Sequence, residues 1–162
     1  MTNNILIRPI APKDNAALAI IIRQTLLEFG ANHPSTVYYD ESSDRLSTIF
    51  TQQDSIYLVA EENGVVLGGA GIYPTEGLGT ATCELVKMYL LPQARGKGLG
   101  RLLMQKCIDF ARNAGYQNIY LETMPELSTA IRLYEKMGFK RLTAPMGQSG
   151  HYGCDIWMML SI

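Results

Sequence analysis

The chain has 162 residues, 47% apolar and 18% charged, with a net charge of −1. That is the length of one domain, residues 1–162, with material for a single core. Without a basic block it gives a nucleic-acid partner no electrostatic footing. No apolar run approaches the roughly 18 residues that crossing a bilayer requires. The Met-Thr-Asn-Asn start lacks the charged region and cleavage pattern of a secretory leader, so a cytoplasmic protein without a membrane partner is expected. Cys83, Cys107 and Cys154 are odd in number and fall on apolar stretches, which reads as buried thiols in a reducing compartment. With the two histidines they have no metal-ligand spacing, and no metal is expected.

Residues 5–10 read as a first strand. Residues 12–29 read as a helix, with Pro12 near its start, an apolar stripe of Leu18, Ile21, Ile22, Leu26 and Phe29, and Gly30 as its stop. A polar loop over 31–39 leads to a short helix at 40–50. Strands at 56–60 and 65–72 are joined by a turn ending in Asn63-Gly64, a strong hairpin signal. A long strand at 81–91 runs into Arg95-Gly-Lys-Gly-Leu-Gly100, and a helix follows at once with Leu99, Leu102, Leu103, Cys107 and Phe110 on one face. A strand at 118–123, a helix at 127–137 stopped by Gly138, and strands at 139–142 and 154–161 complete the chain. Between the last two lies a polar loop, 145–153, long enough to line a site. The order predicts a mixed α/β (α+β) fold of about seven strands and about four helices.

A strand, a glycine turn and a helix N-terminus together suit an anion, because glycine admits close approach and the first helical amides lack internal acceptors. A P-loop needs Lys-Ser or Lys-Thr after its glycines, and a dinucleotide loop needs G-x-G-x-x-G. Gly96, Gly98 and Gly100 satisfy neither. Arg95-x-x-Gly98-x-Gly100 instead resembles the pyrophosphate loop of the GNAT superfamily of N-acetyltransferases. Gln93-x-x-Gly96-x-Gly98 fits the same pattern, and the first frame is preferred because its last glycine abuts the helix. Residues 130–139, Ala-Ile-Arg-Leu-Tyr-Glu-Lys-Met-Gly-Phe, resemble the family's second signature. The resemblance covers nearly the whole chain and is sharpest over 84–139. It implies a mostly antiparallel sheet whose fourth and fifth strands splay, with acetyl-CoA as cosubstrate and its pantetheine arm in the gap. Some members dimerise, so a homodimer is expected by analogy.

Transfer of an acetyl group to an amine needs the coenzyme held, the thioester carbonyl polarised, the amine neutral and the departing thiolate protonated. Neutralising a lysine-like amine at pH 7 costs roughly 4–5 kcal/mol. The resemblance assigns coenzyme binding to Arg95, Gly96, Lys97, Gly98, Leu99, Gly100 and Arg101. It assigns pantetheine contacts to the backbones of Met88, Tyr89 and Leu90, with the Met88 amide as carbonyl polariser. Tyr134 occupies the place of the family's general acid, and a phenol remains protonated at neutral pH. Glu84, a carboxylate in an otherwise apolar strand, is the candidate base, with its pKa raised by burial. Glu122 is the second candidate. His151, an imidazole in the polar loop, is a candidate base or relay. The competing readings are a core tyrosine, a structural glutamate and a surface-loop histidine. Leu127 stands where many relatives carry a coenzyme-contacting Asn. The expected activity is direct transfer from acetyl-CoA to a primary amine of a small molecule or amino acid. The alternatives are a non-catalytic coenzyme-A-binding regulator and acetylation of a protein N-terminus or lysine.

Overall fold

The computed structural model describes residues 4–162. Strand β1 is Ile5–Pro9 and helix α1 is Asn15–Glu28. Between them, Pro12–Asp14 forms a 3-10 turn instead of the first turn of the expected helix. The cause is Asp14, 1% exposed, whose Oδ2 accepts the Ala11 amide at 2.8 Å and whose two oxygens take the Arg8 guanidinium at 2.7 and 2.9 Å. The turn is thereby pinned to β1. The short helix expected at 40–50 is broken. Asp40 Oδ1 accepts the Ser42 amide and starts a 3-10 turn at Glu41–Asp44. Arg45 then leaves helical geometry, and α2 is only Leu46–Ile49.

Strands β2 (Ile56–Glu62) and β3 (Val65–Tyr73) form the expected hairpin, with Asn63 and Gly64 both at positive φ. Then come β4 (Thr82–Leu90), α3 (Leu99–Asn113), β5 (Asn118–Thr123) and α4 (Ser128–Lys136). The closing pair is shorter than expected, β6 being Lys140–Arg141 and β7 Ile156–Ser161. The seven strands run in the order β1-β2-β3-β4-β5-β7-β6. All neighbours are antiparallel except β4 and β5, which are parallel. One face packs Leu103, Cys107 and Leu121 beneath α3, and the other packs Leu18, Ile22 and Leu26 of α1.

Strands β4 and β5 pair only from Thr82↔Asn118 to Glu84↔Tyr120 and then part. The parting coincides with a bulge in β4. Its register with β3 jumps between Gly71↔Val86 and Gly69↔Tyr89, and Lys87 adopts φ 50°. A non-glycine residue in that region carries strain that its surroundings must hold. A Cβ at Gly69 would come within 2.5 Å of the Tyr57 ring, and one at Gly71 within 2.8 Å. These glycines let Tyr57 lie across β3 from β2, and its hydroxyl donates to the Lys87 carbonyl at 2.7 Å. The ring is 1% exposed, so this bond is made away from water.

Tyr57→Phe therefore strands the Lys87 carbonyl. Urea unfolding is expected to show a loss of about 1–3 kcal/mol, and unchanged stability would mean that the bulge does not depend on this bond.

Candidate active site

Where β4 and β5 part, a cavity of about 520 Å³ opens, reaching from the N-terminus of α3 to the 145–153 loop. The backbone of β4 forms one wall. The Leu91 amide donates to Leu67 on β3 at 2.8 Å, and strand alternation turns the Tyr89 amide the same way. The Met88 and Leu90 amides then face the gap. In agreement, the Leu90 carbonyl on that edge is taken by Arg95 Nε at 3.0 Å and not by a strand.

At the other end, Gly96 and Gly98 adopt φ 75° and 79°, with open space where a Cβ would stand. Gly98 caps α3 without any side-chain bond, and the first helical bond runs from the Leu102 amide to the Gly98 carbonyl. The amides of Leu99, Gly100 and Arg101 thus have no helical acceptor. A diphosphate fits this bare, glycine-lined N-terminus.

The turn follows the Gln93-x-x-Gly96-x-Gly98 frame more closely than the preferred one. Gly100 already lies inside α3, where a Cβ would stand 3.3–3.4 Å from the Leu133 and Met88 side chains. The Arg95 side chain, expected to add charge for the phosphates, is committed elsewhere. It takes both Glu28 oxygens at 2.9 and 3.0 Å and lies over the Phe29 ring, tying the loop to α1. The Leu99 side chain is in the core, leaving only its backbone to serve the loop. Lys97 and Arg101 are exposed, and Arg101 borders the cavity.

Tyr134 and Glu84 both line the cavity, as do Glu122 and His151. Tyr134 is buried beside Phe139, and burial pushes its phenol up to about 12. Glu84 is 3% exposed. Burial lifts its carboxyl to about 7, against the Thr75 hydroxyl bond at 2.8 Å and with the help of the Glu122 charge. Glu122 accepts the Tyr120 hydroxyl on Oε2 at 2.7 Å and the Ser149 hydroxyl on Oε1. Leu127, at the start of α4, adds an apolar patch to the wall. The three thiols are buried, and burial raises each to about 12.

The 145–153 loop is strapped across the end of the cavity away from α3. The Met146 amide donates to the Tyr120 hydroxyl, the Gln148 amide to the Glu76 carbonyl, and His151 Nε2 lies 3.1 Å from Asp40 Oδ2. Asp40 Oδ2 also accepts Lys87 Nζ at 2.7 Å. Burial works to raise the Asp40 pKa, but the bonds from His151 and Lys87 win and hold it far below the usual carboxylate range. The strained bulge residue is thus tied through one carboxylate to the strap. Sequence reasoning missed this ion pair, and only the lone lysine in a core strand hinted at it. A second cavity of about 400 Å³ has Asp40, Ser149 and His151 in its wall.

A mostly antiparallel sheet, opened between two parallel strands beside a bare, glycine-lined helix N-terminus, is the architecture of an acyltransferase. A family model described as "Acetyltransferase (GNAT) family" matches residues 22–139, and the chain belongs to that family. The uncharacterized N-acetyltransferase YjgM of Escherichia coli is 40% identical over 94% of this chain and 92% of its own length. The IAA acetyltransferase of Azospirillum brasilense is 38% identical over 72% of this chain and 74% of its own length. A GNAT-family acetyltransferase of Staphylococcus aureus Mu50 shares the fold at TM-score 0.86 and 17% identity, covering 97% of this chain and 98% of its own. The structure of yncA from Salmonella typhimurium with its cofactor acetyl-CoA aligns at TM-score 0.73 and 28% identity, over 98% and 94%. The chain is an N-acetyltransferase by these relationships.

Asp40→Asn leaves the Lys87 ammonium buried without its counter-charge, and a loss of about 3–5 kcal/mol is expected in urea unfolding. Pairing it with Lys87→Met should restore most of that. A depressed carboxylate stabilises above its unfolded pKa of about 3.9, and that contribution falls away as pH drops toward the folded value. The wild type should therefore lose stability below about pH 4 more steeply than the double variant, and parallel curves would contradict the assignment.

Proposed function

We propose that the enzyme transfers an acetyl group from acetyl-CoA directly to a primary amine of a small molecule. The observation that carries this is a carboxyl held near neutrality in the cavity that also contains a protonated phenol and the bare β4 amides. When bound, acetyl-CoA supplies the activated acetyl group. The α3 N-terminus, from Gly96 to Arg101, holds the anionic end, with Lys97 and Arg101 adding charge. The Met88 amide donates toward the position where negative oxygen develops. Glu84 has Oε1 occupied by Thr75, leaving Oε2 to take the proton of the incoming ammonium. A base with a pKa of about 7 suits that task at neutral pH. Tyr134 gives its hydroxyl proton to the departing sulfur. Cysteines held at about 12 are poor nucleophiles, which favours transfer without an acyl-enzyme.

The strap supports a small acceptor over a folded protein surface, because it is bonded over Tyr120 and Glu122 on the strand beside Glu84. The second cavity, which shares His151 with the first, offers a way in. Glu122 and His151 then border the acceptor.

Thiol release from acetyl-CoA against a panel of polyamines, arylalkylamines, amino acids and short peptides tests the reading. Tyr134→Phe should lower kcat by about 100-fold or more while coenzyme A binding by calorimetry is kept. The wild-type kcat/KM should rise with pH through about 7 as Glu84 becomes the free base, and Glu84→Gln should abolish that limb. Coenzyme A binding without thiol release to any amine would contradict a catalytic role.

A further inference from the structure

Glu84 and Tyr89 are both on β4 and differ by an odd number of positions. On a regular strand that spacing turns two side chains to opposite faces. The bulge at Lys87 cancels the difference by inserting a residue. Tyr73, Gly71 and Gly69 alternate along β3, and their partners on β4 are Glu84, Val86 and Tyr89. Paired residues share a face, so these three do. It is the face covered by α1, where Val86 and Tyr89 pack. Leu85, Met88 and Leu90 go to the α3 face. Tyr89 thus presents its side chain on the same side as Glu84, although its amide is turned to β3.

Beside Glu84 that face is largely apolar. Val37, Val86, Tyr89, Met124 and Cys154 belong to the α1-side cluster, and all border the cavity. Burial raises the phenol of Tyr89 and the thiol of Cys154, so both stay neutral. The charged groups here are carboxyls. Glu84 pairs with Tyr120, and Glu122 follows Tyr120 by one alternation of β5, so both carboxyls front the same space. The nearby cations are spent. Lys87 and His151 are bonded to Asp40, and Arg95 is bonded to Glu28. Arg101, Arg132 and Lys136 also border the cavity, but they stand on α3 and α4, whose apolar side chains pack on the opposite face.

We infer that the acceptor is a primary amine on an apolar, uncharged body, of the arylalkylamine kind, and that the Tyr89 side chain is a specificity-determining residue for that body. It rests on the reading of Glu84 as the base. The ammonium meets Glu84, and the body lies along Val86 and Tyr89 toward Met124. An α-amino acid would bring a carboxylate up to Glu84 and Glu122, with no free cation on that face among the described residues. A diamine would press its second ammonium against the apolar wall. Both arrangements bury a charge without a partner.

Rates of thiol release from acetyl-CoA with 2-phenylethylamine, ethylamine, phenylalanine and 1,4-diaminobutane test this on the wild type. The kcat/KM for 2-phenylethylamine should exceed that for ethylamine about tenfold or more, from burial of the ring. It should exceed those for phenylalanine and the diamine by about tenfold or more, from the unpaired charge. Tyr89→Ala should raise KM for 2-phenylethylamine about tenfold and leave KM for ethylamine unmoved. Val86→Ala removes less of the wall and should raise the first KM about threefold. The proposal is overturned if ethylamine, phenylalanine or the diamine matches 2-phenylethylamine, or if 2-phenylethylamine releases no thiol. It is also overturned if both variants leave KM for 2-phenylethylamine unchanged or shift it together with that for ethylamine. A Glu84→Gln enzyme whose kcat/KM still rises through about pH 7 would instead bring down the reading on which the proposal rests.

Discussion

A parallel strand pair that stops after three residues leaves a row of backbone amides facing a cavity, and those amides must find partners outside the protein. The break between β4 and β5 at Glu84↔Tyr120 is therefore the constraint on which the rest depends. It is produced at a distance. Glycines 69 and 71 in β3 let the Tyr57 ring cross the strand, the ring's hydroxyl holds the Lys87 carbonyl, and Lys87 stays in a left-handed conformation that bends β4 away from β5. On its other side Lys87 is anchored by Asp40, which also receives His151 from the strap. Three separate segments thus meet at one strained residue, and the gap is as rigid as that junction.

The same region gives two carboxyls opposite fates. Glu84 and Asp40 are both withdrawn from water, and burial alone disfavours the charge of each. Asp40 has a lysine and a histidine on one oxygen, so it stays ionised and structural. Glu84 has only a neutral hydroxyl as direct partner and another carboxylate nearby, so its proton is held to about 7. A carboxyl of the first kind suits a brace and one of the second kind suits proton transfer. The distinction comes from which residue the bulge carries. The Lys87 ammonium reaches Asp40 and leaves Glu84 unneutralised.

Much of this was legible in the sequence where the signal is local. Strand β5 lies at 118–123 as its apolar run predicts, and the Asn63-Gly64 turn joins β2 to β3 because few other residues tolerate two successive positive φ values. The glycine turn, the helix after it and the buried thiols are likewise local or compositional. Where side chains compete for the backbone the reading failed. Asp14 and Asp40 capture amides and replace helical turns at 12–14 and 41–44. The choice between the two glycine frames needed φ values, since Gly100 looks like a turn residue until α3 is seen to enclose it. Arg95 reads as a phosphate ligand until Glu28, far along the chain, takes its guanidinium. The Tyr57–Lys87, Lys87–Asp40 and Asp40–His151 contacts span dozens of residues, and periodicity has no bearing on them.

The most direct measurement is amide hydrogen exchange, resolved by residue, at Met88, Tyr89, Leu90 and Leu91 with and without coenzyme A. The Tyr89 and Leu91 amides, turned toward β3, should be protected throughout. Those of Met88 and Leu90 should exchange readily in the free protein and become protected when coenzyme A saturates it. Met88 and Leu90 amides already as protected as Tyr89, or unmoved by saturating coenzyme A, would contradict a sheet opened to bind the cosubstrate through its own backbone.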